Sequence, residues 1–237
     1  MADARTATVI EAELVAPQAR VLELELPPGD EMGFQGGQYI IVHSDVILPG
    51  GKPAKRAYSL LSPDSEQRRV RVAVKRLPSG PGSSFMHHVR VGAQLAFSGP
   101  WGRFVPAAAP VDEPALVLAT DTGITAALGL VRGRGFAARR ACTRLVWATD
   151  ALDDFVPEAW LHDLGVAAQL LILGRDRVAG ATRVALEHHL RAPLADVWLC
   201  GDGKVIHPVR DALVAAGVAE ARVRLEAFFN HPPRKAP

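Results

Sequence analysis

The hydrophobic pattern of this chain changes character once, near residues 106–114, and that change constrains the fold more than any other feature. The stretch reads PAAAPVDEP, rich in alanine and proline and without periodicity, as a linker does. Before it, apolar and polar residues alternate in short runs bounded by Pro, Gly and Ser clusters. RVLELEL (20–26) sets Leu22, Leu24 and Leu26 against Glu23 and Glu25, the pattern of a half-buried strand. GQYIIVH (37–43), RAYSLL (56–61), RRVRVAVKR (68–76) and AQLAFSG (93–99) predict further strands, and SSFMHHVR (83–90) a short helix. Short strands at such spacing close into a barrel or sandwich. After the linker, continuous apolar runs take over: ALVLAT (115–120), RLVWAT (144–149), QLLILG (169–174), DVWLCG (196–201) and VRLEAFF (223–229). Helical stretches are predicted between them at 124–138, 156–164, 181–190 and 205–216. Buried strands separated by helices imply a parallel sheet covered on both faces. The expected class is therefore β + α/β: an antiparallel β-barrel over residues 1–105, a linker over 106–113, and a parallel-sheet α/β domain with a C-terminal tail over 114–237.

Composition narrows the chemistry. Among 237 residues, 27 basic and 25 acidic side chains leave a net charge of +2, and the basic ones are scattered, which argues against a nucleic-acid surface. Arg68–Arg69 and Arg139–Arg140 read as solvated pairs. The 2 cysteines, Cys142 and Cys200, are too few for an iron–sulfur cluster or a structural zinc, and they give no disulfide framework. The acidic N-terminus does not read as a signal peptide, and no run reaches the roughly 20 apolar residues of a membrane span. These features suggest a cytoplasmic protein without a metal centre, and a monomer is expected. His87–His88 and His188–His189 are adjacent pairs in helical stretches and lack zinc-ligand spacing. Capping or solvated roles suit them. GRGFAA near Arg134 and Gly135 follows a helix and carries no phosphate-loop signal.

Three strand ends in the second half could hold a ligand, since open α/β sheets bind at the carboxyl ends of their strands. LATDTGIT places Thr120, Asp121, Thr122, Gly123, Ile124 and Thr125 in a small-residue turn into a helix. Free N–H groups and the helix dipole suit a diphosphate there, although an ordinary strand–turn–helix reads the same way. LILGRDR places Arg175 and Arg177 past a strand, a fork suited to a phosphate monoester. In LCGDGKV, Cys200 precedes Gly201 and Gly203, where backbone can approach a ligand; Cys200 alone reads as a small buried hydrophobe. In the barrel, Gly82, Ser83 and Ser84 open a helix and could take a second phosphate. Arg56 and Tyr58 share one face of an extended chain, a cation beside an aromatic ring. Two diphosphate sites, one per half, suggest a flavin dinucleotide facing a nicotinamide dinucleotide.

In order along the chain, these motifs resemble the ferredoxin–NADP reductase type of flavoprotein, bacterial in form and without a fused iron–sulfur domain. Gly37-Gln38-Tyr39 is similar to the strand before the flavin motif, and Arg56-Ala57-Tyr58-Ser59 matches R-x-Y-S. The resemblance implies that Arg56 contacts the FAD diphosphate, Tyr58 packs on the flavin and Ser59 hydrogen-bonds near flavin N5. Gly82-Ser83-Ser84 resembles the second FAD-phosphate motif, and Gly99-Pro100-Trp101-Gly102-Arg103-Phe104 the turn closing the barrel. LATDTGIT resembles the nicotinamide-dinucleotide motif, with Asp121 where glycine is usual; its carboxylate either points away or weakens coenzyme binding. Cys200-Gly201 matches the C-G step that sets a thiol near the nicotinamide. Glu226-Ala227-Phe228-Phe229 is similar to the E-x-Y-W ending, which implies Phe228 stacked on the flavin and Glu226 as proton relay or electrostatic tuner. A Phe–Phe pair by itself reads as core.

The implied activity is hydride transfer from NAD(P)H to FAD, then one-electron release to a separate ferredoxin, flavodoxin or oxygenase component. Arg175, with Arg183 or Arg177, favours NADPH, whereas Asp150 could favour an unphosphorylated ribose. A ferric-chelate or flavin reductase is an alternative in the same fold. A flavin-binding electron-transfer or sensory subunit without pyridine-nucleotide turnover is the reading that Asp121 favours.

Overall fold

The computed structural model describes residues 4–48, 50–78, 80–107, 112–151 and 155–228. Six strands, β1 (Arg5–Ala16), β2 (Ala19–Glu25), β3 (Tyr39–Ile47), β4 (Pro53–Ser59), β5 (Arg69–Lys75) and β6 (Gln94–Trp101), form an antiparallel sheet in the order β4-β3-β6-β1-β2-β5. Its edges meet at one corner, where Leu61 N–H donates to the Arg71 carbonyl at 2.8 Å and Arg71 N–H donates to Ser62 Oγ at 2.8 Å. The sheet thereby curls into a barrel around Val9, Leu22, Leu24, Ile40, Val72 and Phe97, all fully buried. The alternating strands behave as their period requires. Helix α1 (Pro81–His88) lies against β3, β4 and β5.

β1 is a strand that the sequence patterning did not reveal. Only Ala7 and Val9 turn fully into the core, and a register shift between Val9 and Glu11 breaks the alternation. A bulge of this kind swaps the faces of the residues beyond it, so no clean period-two pattern survives.

Five parallel strands follow: β7 (Ala115–Thr120), β8 (Thr143–Thr149), β9 (Ala167–Ile172), β10 (Asp196–Asp202) and β11 (Val223–Phe228), in the order β11-β10-β7-β8-β9. Helices α2 (Ile124–Arg132), α3 (Arg177–Arg191) and α4 (Gly203–Ala215) connect them. Two predicted helices are corrected. The stretch 124–138 is helical only to Arg132, because Gly133 turns extended (ψ 146°), and 134–142 continues as a 3-10 coil. The stretch 156–164 holds one 3-10 turn, Glu158–Leu161, between Pro157 and Gly165. Helix α3 starts earlier than expected, because the Asp176 carboxylate accepts from Ala179 N–H at 2.9 Å and caps it. Phe229 lies outside the described residues. Among the described residues, no helix is long and apolar enough to cross a membrane.

The two sheets share one hydrophobic core. Val21, Ala73 and Phe104 of the barrel half pack with Ile124, Leu128 and Val131 of the other. At the seam, Gly129 of α2 rides on the Leu60 carbonyl so closely that a Cβ would collide with it. Asp64 locks the seam: its Oδ2 accepts from Gly36 N–H at 3.1 Å and its Oδ1 from Arg134 N–H at 2.7 Å. Below the sheet, fully buried Asp196 binds Arg139, Arg222 and Arg224 at 2.9, 3.2 and 3.0 Å.

Candidate functional site

A cleft of about 420 Å³ opens between the sheets, lined by Tyr39, Arg56, Ala57, Tyr58, Ser59 and Lys75 from the barrel, and by Thr122, Thr125, Phe155, Glu226 and Phe228 opposite. A larger cavity, about 500 Å³, lies at the amino ends of β7–β9 among Cys142, Arg144, His188 and Arg191. It holds none of the motif residues, and open parallel sheets bind ligands at the other end. The cleft is therefore the candidate active site.

On the barrel side, β4 delivers Arg56, Tyr58 and Ser59. The stem of Arg56 crosses Gly82 at the start of α1, where a Cβ would come within 2.7 Å of Arg56 Cγ. Glycine there lets the cation lie over the amino end of the helix, and together they form an anion cradle. Ser83 and Ser84 serve the loop itself. Ser83 Oγ donates to the Gly80 carbonyl at 3.0 Å and accepts from Leu77 N–H at 3.1 Å, while Ser84 N–H donates to the Gly80 carbonyl. The Ser83 hydroxyl is thus engaged within the loop, which leaves the amino end of the helix and Arg56 as the groups that could hold a phosphate. Burial pushes the Tyr58 hydroxyl up to about 12, so it stays a hydrogen-bond donor at neutral pH. Ser59 is buried and pairs in register with Tyr39.

Opposite, β11 carries Glu226 and Phe228. Burial pushes Glu226 up to about 8, and its Oε1 is buried without a hydrogen-bond partner. Its Oε2 and the Tyr39 ring converge on Gly102, lying 3.2 and 3.1 Å from where a Cβ would stand. An orphaned acid and an anion cradle at two places along one cleft fit a flavin dinucleotide, which has polar ring edges and a diphosphate.

Several predicted residues turn inward. Cys200 is fully buried, and its thiol donates to the Gly123 carbonyl at 3.3 Å, so it does not line the cleft. Burial raises it well above the ordinary thiol range, with Glu226 adding to the rise. The resemblance implies a thiol near the nicotinamide; in this structure β10 is buried along its length and the thiol faces the neighbouring turn. Gly201 and Gly123 let the ends of β7 and β10 meet. A Cβ on Gly201 would strike Thr120, and one on Gly123 would lie 2.5 Å from the Cys200 carbonyl. The Ile124 side chain is core, and Thr120 Oγ1 accepts from Asp202 N–H at 2.8 Å. Thr125 Oγ1 donates to the Thr122 carbonyl at 2.9 Å.

The expected arginine fork does not form. Arg175 is exposed, whereas Arg177 turns to three carboxylates: Asp121, Asp150 at 3.1 Å and Asp202 at 3.3 Å. Attraction from three anions outweighs any pairing with a second cation. Asp121 therefore does not point away into solvent; it pairs. Burial raises its carboxyl, and Arg177 opposes the rise. The histidines contact backbone, His87 at the Val74 carbonyl and His88 at the Ser84 carbonyl. Tyr39, Lys75 and Phe155 are not singled out by the sequence as site residues; Tyr39 stands in the GQY motif, but Phe155 sits in a loop just before the stretch 156–164 that reads as helix.

Residues 6–105 match the family model described as an oxidoreductase FAD-binding domain. Ferredoxin–NADP reductase B of Sorangium cellulosum is 38% identical over 128 residues, covering 52% of this chain and 50% of that protein. Reductase component 1 of the terephthalate 1,2-dioxygenase of a Comamonas species is 27% identical over 241 residues, 96% of this chain and 69% of its own length. The Chromobacterium violaceum flavohemoprotein is 30% identical over 94% of this chain, which spans 60% of that protein. The fold is that of an Amycolatopsis cytochrome P450 reductase (TM-score 0.78, 20% identity, 96% of this chain and 71% of that one). Phthalate dioxygenase reductase has it too (TM-score 0.74, 22% identity, 97% and 69%).

Proposed function

We propose that the chain belongs to the ferredoxin reductase family of flavoproteins and that it carries electrons from NAD(P)H through FAD to a separate one-electron carrier, a ferredoxin, flavodoxin or oxygenase component. One observation carries this reading: a single cleft joins the Arg56–Ser59 segment of the barrel to the β7–α2 turn and to Glu226 and Phe228 of the parallel sheet. The relatives named as ferredoxin–NADP reductase and oxygenase reductase support the choice of acceptor. NADPH is the proposed coenzyme, because Arg175 is exposed near the amino end of α3, available to a 2′-phosphate.

Bound FAD would supply the step between a two-electron donor and a one-electron acceptor; the protein positions and tunes. Arg56 and the amino end of α1 hold the diphosphate. Tyr58 would give the ring a flat, half-buried wall and a protonated hydroxyl. Ser59 and the backbone beside it fix the reacting edge. Glu226, neutral at pH 7, keeps a proton in the cleft beside Tyr39. Phe228, on the cleft wall, would stand against the ring and give way to the coenzyme. The turn from Thr120 to Thr125 takes the coenzyme diphosphate, with Thr122 and Thr125 on the cleft wall.

A second reading, a flavin-binding subunit without pyridine-nucleotide turnover, is favoured by the three carboxylates around Arg177. Variants test the assignments. Arg56→Ala should weaken FAD binding about tenfold or more, as loss of a charge-assisted contact does. Phe228→Ala should retain FAD and change the NADPH-to-NADH ratio of flavin reduction rates. An Arg56→Ala protein with unchanged FAD affinity would remove the proposed diphosphate site.

A further inference from the structure

One guanidinium at the carboxyl ends of the parallel strands faces carboxylates from three of them. Arg177 opens α3 and reaches Asp121 on the β7–α2 turn through Nη2. Its Nη1 lies 3.3 Å from Asp202 Oδ2 at the end of β10, and its Nε lies 3.1 Å from Asp150 Oδ1 past β8. These four contacting groups together carry a charge of −2, and Lys75 acts on Asp121 from further away. The side chains of Arg177, Asp121 and Asp202 are only 26%, 23% and 27% exposed. Charges so placed are screened less than surface pairs are.

The three acids are not equivalent. Asp202 belongs to the frame: its Oδ1 accepts from Lys204 N–H at 2.9 Å, capping α4, and its own N–H donates to Thr120 Oγ1. Asp150 is 56% exposed, and its approach to Nε falls outside hydrogen-bond geometry. Asp121 sits on the turn itself with a left-handed backbone (φ 49°), pinned where Trp147 Nε1–H donates to its carbonyl at 2.9 Å. Its carboxylate accepts from Arg177 rather than from the backbone frame, and Lys75 attracts it at longer range.

We propose that Asp121 is an internal competitor of the coenzyme: its carboxylate occupies Arg177, and a dinucleotide diphosphate crossing the β7–α2 turn gains that guanidinium by displacing it. The inference rests on the reading that a pyridine dinucleotide binds at this turn. A diphosphate brought beside a site of charge −2 is repelled unless it takes over a cation. Nη2 is the edge it can take, because Asp202 and Asp150 keep the guanidinium in place from Nη1 and Nε while Asp121 swings away. Asp121 thus lowers affinity for every dinucleotide, NADH and NADPH alike, and Arg177 is a phosphate ligand kept in reserve.

The test titrates FAD-loaded protein with ADP, a diphosphate that cannot reduce a flavin, and separately follows anaerobic flavin reduction by NADPH and NADH. Asparagine tolerates the left-handed backbone as aspartate does, and glycine more readily still, so Asp121→Asn and Asp121→Gly both preserve the turn. Each should bind ADP about tenfold more tightly than wild type. Arg177→Gln should bind ADP more weakly, and Asp121→Asn added to it should return no gain. Unchanged ADP affinity in both Asp121 variants overturns the proposal. A gain that persists without Arg177 overturns it too, since Asp121 would then act by plain repulsion. If neither coenzyme reduces the wild-type flavin while the ADP series behaves as expected, the competitor stands and the reductase reading fails. Rapid reduction beside a flat ADP series defeats the competitor alone.

Discussion

Glu226 combines a buried carboxyl, an oxygen without a hydrogen-bond partner and a place on the cleft wall. In the folded protein it keeps its proton up to about pH 8, whereas the unfolded chain releases it near 4.5. Between those values the native state binds more protons than the unfolded state, so its contribution to stability is full below the unfolded pKa and falls as pH rises to about 8. Glu226→Gln, a neutral isostere, should therefore gain on wild type as pH rises, by a few kcal/mol between about pH 5 and about pH 9. Urea unfolding across that range checks this, and parallel stability curves would mean that the carboxyl is not buried in the native protein. The residues legible in the sequence are the local ones: Arg56, Tyr58, Ser59, Glu226 and Phe228 stand in short motifs, and all line the cleft. Asp121 and Arg177 were each visible as site candidates, but they lie 56 residues apart, and only the order of strands in the sheet brings them together. Cys200 stands in a motif that implies a thiol near the nicotinamide, yet its thiol turns to the Gly123 carbonyl. A strand buried on both faces offers no pattern to tell which side chains meet a ligand and which meet the neighbouring turn.

At the scale of elements, period did most of the work. β2 and β5 alternate along much of their length, and β7 and β10 are almost wholly buried, as their sequences imply. β1 escaped because its bulge interrupts the alternation, and the helix predicted over 156–164 failed because Pro157 and Gly165 confine it to one turn. α2 shows a constraint that sequence cannot express at all. Its Gly129 faces the Leu60 carbonyl of the barrel half, in a space too small for a methyl group. Gly129→Ala should raise intrinsic helix propensity yet destabilise the protein, by about 1–3 kcal/mol, because backbone must move to admit the methyl. It should also loosen FAD, since the same contact fixes the segment that follows Ser59. A variant as stable as wild type by urea unfolding would show that the seam has slack.

At the scale of the molecule, two sheets meet through a shared hydrophobic cluster, and a cleft opens between them. Each half was readable from its own periodicity, but the cleft belongs to neither, and its shape depends on Gly36, Asp64, Gly129 and Arg134 holding the halves together. That arrangement gives the central claim its physical content: a donor held by the parallel sheet meets a flavin held by the barrel. The most direct measurement mixes the FAD-loaded protein anaerobically with NADPH or NADH and follows the flavin absorbance. Rapid bleaching is expected, faster with NADPH than with NADH. A flavin that stays oxidised with both would contradict pyridine-nucleotide turnover and leave the protein a flavin-binding electron-transfer subunit.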